Sequence, residues 1–299
     1  MSDTQVLPEK ARIAIIGGGI IGTSVAYHLA KRGIKDVILI ERKQLTSGTT
    51  WHAAGLVSLS WPTPTLTNLA KYSHELYASL EEETGQATGY KQIGSISLAR
   101  TEARLEEIKR TSSMAKVFGV ESEMIDNTRL AELYPGINTD GVLGALYTPD
   151  DGQTNPIDTT MALAKGARMN GVEIFENTVM EELLTKDNVI TGIRTDKGKV
   201  EVDQVILCGG MWTRDLAKTV GVQLPIYTCE HSYIVTEEME GLSQRPVLRD
   251  YDRGLYYKED AGKMLIGWFE DNAKGMSMDN ITDDFCFGQF PCDQDHVEP

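Results

Sequence analysis

The sequence contains few cysteines, and their spacing forms no recognisable binding motif. Only 4 of its 299 residues are cysteines, and no two of them form a C-x-x-C pair. This spacing argues against a disulfide framework, and we predict no metal site. A reduced, cytoplasm-like compartment fits this composition. The matrix of a mitochondrion fits equally well if the protein is eukaryotic and has been processed.

Positive charge and long apolar runs are also scarce. The chain has 29 Lys and Arg against 44 Asp and Glu, which gives a formal net charge of −15. Nucleic acids and anionic membrane surfaces bind basic patches, so neither is an expected partner. No apolar run approaches ~18 residues, and the N-terminus is not basic and amphipathic. We therefore predict neither a membrane span nor a targeting peptide.

What the chain does contain begins with a strand–helix–strand unit between residues 13 and 41. The apolar stretch 13–16 predicts a strand, the periodicity of 20–32 predicts a helix, and 37–40 predicts a second strand that ends at Glu41. The 41% hydrophobic content is that of a globular protein, and the length suits one large domain or two interleaved ones.

The turn between the first strand and the helix has G-x-G-x-x-G spacing at Gly17, Gly19 and Gly22. In such a turn the first glycine permits the tight bend, the second lets a pyrophosphate approach, and the third lets helix and strand pack closely. Glu41 then accepts hydrogen bonds from ribose hydroxyls, which disfavours a 2′-phosphate, although the neighbouring Arg42 leaves that alternative open. The unit predicts that the chain binds a dinucleotide.

Two later features favour a flavin over a nicotinamide cofactor. An apolar strand at 205–207 runs into Cys208-Gly209-Gly210, which resembles the second dinucleotide-binding segment of FAD oxidoreductases. The chain also leaves the predicted parallel sheet twice to form β-rich segments. We therefore predict an α/β fold in which a Rossmann-like FAD-binding domain, 1–90 and 150–222, is interleaved with an antiparallel β-rich substrate domain, 91–149 and 223–299.

The segment Ser47-Gly48-Thr49-Thr50-Trp51-His52-Ala53-Ala54-Gly55-Leu56 is the most specific part of the sequence. It resembles the flavinylation segment of the dimethylglycine and sarcosine dehydrogenases, which are glycine-oxidase-like FAD amine oxidoreductases. The resemblance continues at 84–90, 94–96, 229–233 and 247–250. It implies cofactor contacts at Ser47, Thr49, Val179 and Gly209.

The same resemblance implies that His52 is joined through a ring nitrogen to the flavin, so that FAD is held covalently in the full-length form. The chemistry is reasonable, because a neutral imidazole is a competent nucleophile near neutral pH. The small residues Ala53, Ala54 and Gly55 would allow a ring system to lie against the backbone. The alternative is a loop histidine that only forms local hydrogen bonds.

The resemblance further implies oxidation of an N-methyl amino acid, with His231 and Tyr256 as the catalytic pocket residues. We expect a strand over 231–236 that places His231, Tyr233 and Val235 on one face. The alternative for His231 and Tyr256 is a structural role in the core. Arg249 and Lys258 are weaker candidates for pairing with a substrate carboxylate.

Expected partners are therefore sarcosine, dimethylglycine or another N-methyl amine, and an electron acceptor such as electron-transfer flavoprotein or oxygen. Folate is expected only if a further C-terminal region exists, because the family usually continues into one. By comparison with the family, the chain stops within a domain. We expect either a fragment or a shortened protein with an incomplete flavin site.

Two other functions remain open from the sequence. A non-catalytic regulatory protein, the regulatory subunit of pyruvate dehydrogenase phosphatase, resembles the same stretches, but no histidine is expected there at the position of His52. An NAD-dependent dehydrogenase is the third possibility.

Overall fold

The computed structural model describes residues 6–242 and 244–297. Its strands and helices are, in chain order, β1 (Lys10–Ile16), α1 (Ile20–Lys31), β2 (Val37–Ile40), β3 (Leu56–Val57), α2 (Pro64–Thr84), β4 (Lys91–Gln92), β5 (Ser95–Ala99), α3 (Glu102–Val117), β6 (Glu123–Ile125), α4 (Asn127–Leu133), β7 (Gly144–Thr148), β8 (Gly152–Gln153), α5 (Pro156–Met169), β9 (Glu173–Phe175), β10 (Met180–Lys186), β11 (Val189–Thr195), β12 (Gly198–Leu207), α6 (Thr213–Lys218), β13 (Tyr233–Val235), β14 (Val247–Asp250), β15 (Leu255–Asp260), β16 (Lys263–Trp268) and α7 (Gln294–Val297).

A six-stranded sheet with the order β10-β11-β12-β1-β2-β9 contains the predicted strand–helix–strand unit. The strands β12, β1, β2 and β9 are parallel, whereas β10, β11 and β12 form an antiparallel ribbon. One face of β1 and β2 packs against α1 and α5, and the other face forms a second apolar cluster. The apolar residues of β2 are buried on both faces for this reason.

Local capping explains where the two longer helices of this region begin. At the start of α2 the Thr63 hydroxyl accepts a hydrogen bond from the Leu66 N–H, and Pro64 follows at the first helical position. At the start of α5 the Asn155 side chain accepts from two backbone N–H groups, and Pro156 follows. Both starts combine a side-chain acceptor with a proline that needs no hydrogen-bond partner.

A seven-stranded sheet with the order β13-β16-β15-β14-β5-β7-β6 forms the β-rich part of the chain. Its pairs are antiparallel except for β5 and β14, which are parallel, so the sheet is mixed. One face packs on α4 through an apolar core that includes Ile96, Leu98, Leu130 and Leu248. The predicted Rossmann-like and β-rich architecture is confirmed, whereas the exact domain boundaries remain a prediction.

The predicted strand over 231–236 is too long at its start. The strand β13 begins at Tyr233 and pairs only with residues 265–267 of β16. Continuing the pairing would place His231 opposite Phe269, but the ladder between the two strands ends at the Tyr233–Gly267 pair. His231 therefore lies just before the strand, and its ring stacks on Phe269 with centroids 4.7 Å apart.

A third sheet has three strands in the order β3-β8-β4. In the sequence, β3 and β4 lie between β2 of the first sheet and β5 of the second, and β8 lies between β7 and β9. The strand β3 follows His52 closely, and β8 pairs with both β3 and β4. Among the residues that the model describes, no helix is both long enough and apolar enough to cross a bilayer.

Candidate active site

A cavity of about 490 Å³ lies where β1, β2 and β12 end at the same edge of the six-stranded sheet. Most of the predicted cofactor residues line it, namely Gly17, Gly19, Glu41, Arg42, Ser47, Thr49, Val179 and Gly209. The position agrees with the general rule that ligands of open parallel sheets bind beyond the carboxyl ends of the strands. Gly22 and His52 do not line this cavity.

Gly22 acts through close packing. A Cβ atom at Gly22 would lie 1.8 Å from the Gly17 carbonyl oxygen, so any side chain there would push α1 away from the turn. Gly19, by contrast, lies at the cavity surface, and a Cβ there would meet the Thr50 Oγ1 at 2.8 Å. The Thr50 Oγ1 itself accepts a hydrogen bond from the Ile20 N–H at 3.1 Å. The Ile20 N–H is thus occupied, whereas the missing side chain at Gly19 leaves the surface of the turn open to a phosphate group.

Glu41 is held at the end of β2 by two backbone donors. The Gly18 N–H donates to its Oε2 at 2.7 Å, and the Lys43 N–H donates to its Oε1 at 2.9 Å. Burial raises the pKa of the Glu41 carboxyl, whereas these hydrogen bonds act to lower it. Each oxygen keeps acceptor capacity, as an interaction with ribose hydroxyls requires.

Arg42 and Val179 both line the cavity and also have partners within the protein. The Arg42 guanidinium lies 4.8 Å from the centre of the Trp212 ring, and its Nη2 donates to the Asp283 carbonyl at 2.7 Å. The Val179 N–H and carbonyl are both hydrogen-bonded to Asp196, so its side chain is the part that faces the cavity. The structure thus adds Trp212 to the predicted set.

A stretch near the end of the chain also lines the cavity. Met278, Asp279, Ile281, Asp283 and Phe285 contribute to its wall. The Phe287 N–H donates to the Ser47 carbonyl at 3.1 Å, which fixes the stretch against the predicted cofactor segment. Sequence reasoning missed these residues because they form no periodic pattern and no recognised motif.

The residues around the cavity fit a dinucleotide. The N-cap residue Gly19 provides no side-chain cap, and no acidic residue lies in the first turn of α1, so a negative charge is favoured there. The indole Nε1 of Trp51 is buried without a hydrogen-bond partner beside His52. An open helix start and an unpaired buried donor both favour a polar ligand that passes from the phosphate turn towards His52.

His52 links this region to the seven-stranded sheet. Its Nε2 lies 2.9 Å from the Gly288 carbonyl, and its Nδ1 lies 3.4 Å from the Tyr233 hydroxyl. Because a carbonyl only accepts, Nε2 carries the hydrogen in this arrangement, and Nδ1 is the ring nitrogen that faces the Tyr233 hydroxyl. The ring also packs against Trp51, with centroids 4.1 Å apart.

His231 and Tyr256, the predicted catalytic residues, are brought together. The His231 Nε2 lies 3.1 Å from the Tyr256 hydroxyl. The Tyr256 ring lies across Gly267, where a Cβ would come within 2.0 Å of it. Burial lowers the pKa of His231, against an opposing effect of Glu270, and burial raises the pKa of Tyr256. Both groups are therefore favoured in their neutral forms, as a base and its hydroxyl partner require.

Arg249 has protein partners of its own. Its Nη1 lies 3.9 Å from the Asp151 Oδ2, and its Nη2 donates to the Ser58 hydroxyl. Asp151 is almost fully buried and also accepts from the Ser95 hydroxyl at 2.6 Å. The ion pair connects β14 to the residue that precedes β8, and the hydrogen bond to Ser58 connects it to the segment that follows β3.

These features together define a dinucleotide-binding fold joined to a β-rich part. The family model for FAD-dependent oxidoreductases matches residues 12–298, and the chain belongs to that family. FAD is accordingly the cofactor, as predicted, and the nicotinamide alternative is disfavoured. That FAD is covalently attached through His52 remains a prediction.

The chain is similar to several known proteins. It is 41% identical to the formaldehyde-forming 4-methylaminobutanoate oxidase of Paenarthrobacter nicotinovorans, over 98% of this chain and 36% of that protein. It is 37% identical to the mouse mitochondrial regulatory subunit of pyruvate dehydrogenase phosphatase, over 98% of this chain and 34% of that protein. The crystal structure of L-proline dehydrogenase from P. horikoshii has a TM-score of 0.85 and 27% identity, covering 91% of this chain and 72% of that one.

Sarcosine and dimethylglycine dehydrogenases match at 34% and 38% identity, which confirms the family suspected from the sequence. The chain spans about a third of the length of the curated relatives that it matches first.

Proposed function

We propose that this chain forms the flavin-binding and substrate-binding part of an enzyme that oxidises a secondary or tertiary N-methyl amino acid, such as sarcosine or dimethylglycine. The coarser activity, FAD-dependent oxidation of an amine or amino acid, is supported by the family match and by the relatives. The choice of an N-methyl substrate rests on what those relatives are named for and on the residues described below.

The observation that carries the proposal is the continuity between His52 and the His231–Tyr256 pair. Tyr233 pairs with Gly267, which in turn pairs with Tyr256, so both tyrosines lie on the same face of the seven-stranded sheet. Tyr233 contacts His52, and Tyr256 contacts His231. One sheet face therefore reaches both the predicted flavin attachment point and the predicted base.

The residues suit the chemistry of amine oxidation. An ammonium nitrogen has no lone pair, so the substrate must lose a proton before a C–H bond adjacent to nitrogen is broken. His231, favoured in its neutral form, accepts this proton, and the Tyr256 hydroxyl orients the imidazole. Bound FAD supplies the two-electron acceptor. Hydrolysis of the resulting iminium ion gives formaldehyde and the demethylated amine.

The remaining partners are part of the same proposal. Electron-transfer flavoprotein or oxygen would reoxidise the flavin, and folate would take up the one-carbon unit if the intact protein carries a region for it. A cytoplasmic or mitochondrial location also remains a proposal.

The first experiment is anaerobic reduction of the purified intact protein. We expect a yellow protein whose flavin absorbance is bleached by sarcosine, dimethylglycine or 4-methylaminobutanoate, with formaldehyde released in proportion to the amine consumed. A protein that binds FAD but is bleached by none of these amines would contradict the substrate proposal. A protein that binds no FAD would favour the regulatory alternative, which the 37% identity to the phosphatase subunit keeps open.

The second experiment tests covalent attachment at His52. Acid-denatured intact protein is expected to keep its yellow colour and to carry the added mass of FAD on a peptide that contains His52. His52→Ala should then give apoprotein or FAD that is released by acid. Complete release of FAD from the unaltered protein would show that His52 is not the attachment point.

A further inference from the structure

We propose that Lys258 binds the carboxylate of the substrate, on the sheet face that carries Tyr256. This inference rests on the proposed oxidation of an amino acid. It names the side chain that makes the enzyme prefer a substrate with a carboxylate.

The register of the sheet places Lys258 beside the predicted base. Tyr256 and Lys258 are two residues apart on β15, so they project from the same face with Cα atoms about 7 Å apart. Tyr256 is paired with Arg249 on β14, which places Arg249 on that face as well. Tyr257, which lies between Tyr256 and Lys258 in the sequence, is on the opposite face of the sheet and packs against the apolar core. The pocket face therefore carries two cations next to Tyr256.

The two cations differ in how their charge is compensated. Arg249 has the buried Asp151 carboxylate 3.9 Å away and donates to Ser58. Lys258 is only 4% exposed, yet within the described part of the chain its ammonium forms no hydrogen bond and no ion pair. Lysines are almost never fully buried unless they are paired. Among the described residues, Lys258 is thus the cation of this face that has no anionic partner.

The electrostatics of the surroundings agree with this assignment. Burial lowers the pKa of Lys258, the carboxylates of Asp260 and Glu259 act in the opposite direction, and Lys91 adds to the lowering. Neither carboxylate lies close enough to form an ion pair with the ammonium. An anion bound directly at Lys258 would offset the desolvation cost of its charge.

A buried polar atom without a hydrogen-bond partner lies beside the same strand, on β8. Gln153 of β8 donates through its Nε2 to the Glu259 carbonyl at 3.0 Å, and its Oε1 is buried without a partner. An N–H donor of a ligand would satisfy this oxygen, as an anionic group would satisfy Lys258. An amino acid whose nitrogen carries hydrogen has both groups.

The test compares each acid with its primary amide, because the amide has the same amine but no negative charge. The pairs are sarcosine and sarcosinamide, dimethylglycine and its amide, and 4-methylaminobutanoate and its amide. Stopped-flow flavin reduction of the intact holoenzyme gives a rate and an apparent Kd for each compound. We expect the unaltered protein to prefer the acid, and Lys258→Met to lower that preference about 10- to 100-fold, the scale of a hydrogen bond to a charged group.

Two further variants separate binding from folding. Lys258→Arg keeps the charge and should retain most of the preference for the acid. Lys263→Met removes a lysine at the turn end of the same hairpin, and the preference should not change. A loss of the preference in Lys258→Met with retained FAD absorbance and melting temperature would identify a binding role.

The outcomes distinguish the two proposals. If Lys258→Met keeps the preference for the acid, Lys258 does not bind the carboxylate, whatever the substrate. If the unaltered protein oxidises acid and amide equally well, the inference is wrong while the amine oxidation stands. If neither compound of any pair reduces the flavin, the proposed function is wrong and the inference falls with it.

Discussion

The dinucleotide cavity and the substrate face of the seven-stranded sheet are built in opposite ways. In the cavity the Gly18 N–H binds Glu41, 23 positions along the chain, and the Ile20 N–H binds Thr50, 30 positions along. On the substrate face Arg249 binds Ser58, 191 positions away, and Tyr233 contacts His52, 181 positions away. The glycine turn of the cavity is held by backbone N–H groups that bond within residues 18–50, although later segments complete the cavity wall. The substrate face is held by side-chain contacts between segments far apart in the sequence.

This difference has consequences for mutation. A backbone site is destroyed by adding a side chain, because the ligand occupies the space next to the chain. A side-chain site is weakened by removing one functional group, because the rest of the sheet face persists. The predictions below use this contrast, beginning with the largest expected effect.

Gly19→Val should abolish FAD binding. The added side chain would meet the Thr50 Oγ1 and occupy cavity space that the pyrophosphate needs. Absorbance at the flavin bands, measured after gel filtration, is expected to fall to background while far-ultraviolet circular dichroism is retained. Gly33→Asn is the matched control, since Gly33 lies in the same unit with φ +79° and open space around it. Stoichiometric FAD in Gly19→Val would disprove the cofactor site.

His231→Gln should lower kcat/KM for the best N-methyl amine about 100-fold, the usual scale for a positioned base. The variant should keep its FAD, because His231 lies outside the dinucleotide cavity. Steady-state kinetics and flavin absorbance check both expectations. Unchanged amine oxidation would show that the histidine has only a structural role.

Tyr256→Phe should lower kcat/KM about 10-fold, because the imidazole loses the hydroxyl that orients it at 3.1 Å. The matched control is Tyr257→Phe, which removes a hydroxyl from the opposite face of the same strand and should leave kcat/KM unchanged. Equal losses in the two variants would indicate a general effect on the strand instead of a specific role for Tyr256.

The smallest expected effect is on the pH dependence of kcat/KM, whose acidic limb should shift. Burial disfavours the imidazolium, so the folded pKa of His231 lies below its usual 6.5 and the neutral base persists to lower pH. The acidic limb of kcat/KM is therefore expected below pH 6.5 and should be absent in His231→Gln. An acidic limb that survives in the variant would have to come from another group.

Much of the Rossmann-like part could be predicted because each of its elements has a local cause. The apolar run, the glycine spacing and the terminal acid of residues 13–41 correspond directly to β1, α1, β2 and Glu41. The strand expected at 231 was misjudged because alternation alone does not show whether a neighbouring strand is available. The pairing of β13 with β16 ends at Tyr233, and no local pattern reports where a ladder between distant segments ends.

The sequence by itself therefore determined the class of cofactor, the glycine turn that receives it and the family to which the chain belongs. These features depend on backbone geometry within short segments, where residue type and spacing carry the information. Only the tertiary structure decided that His231 meets Tyr256 and that Asp151 compensates Arg249. It also decided that Lys258 has no ion-pair partner among the described residues. Those relations depend on which strands become neighbours across long separations, and pairing of that kind is set by the packing of the whole sheet.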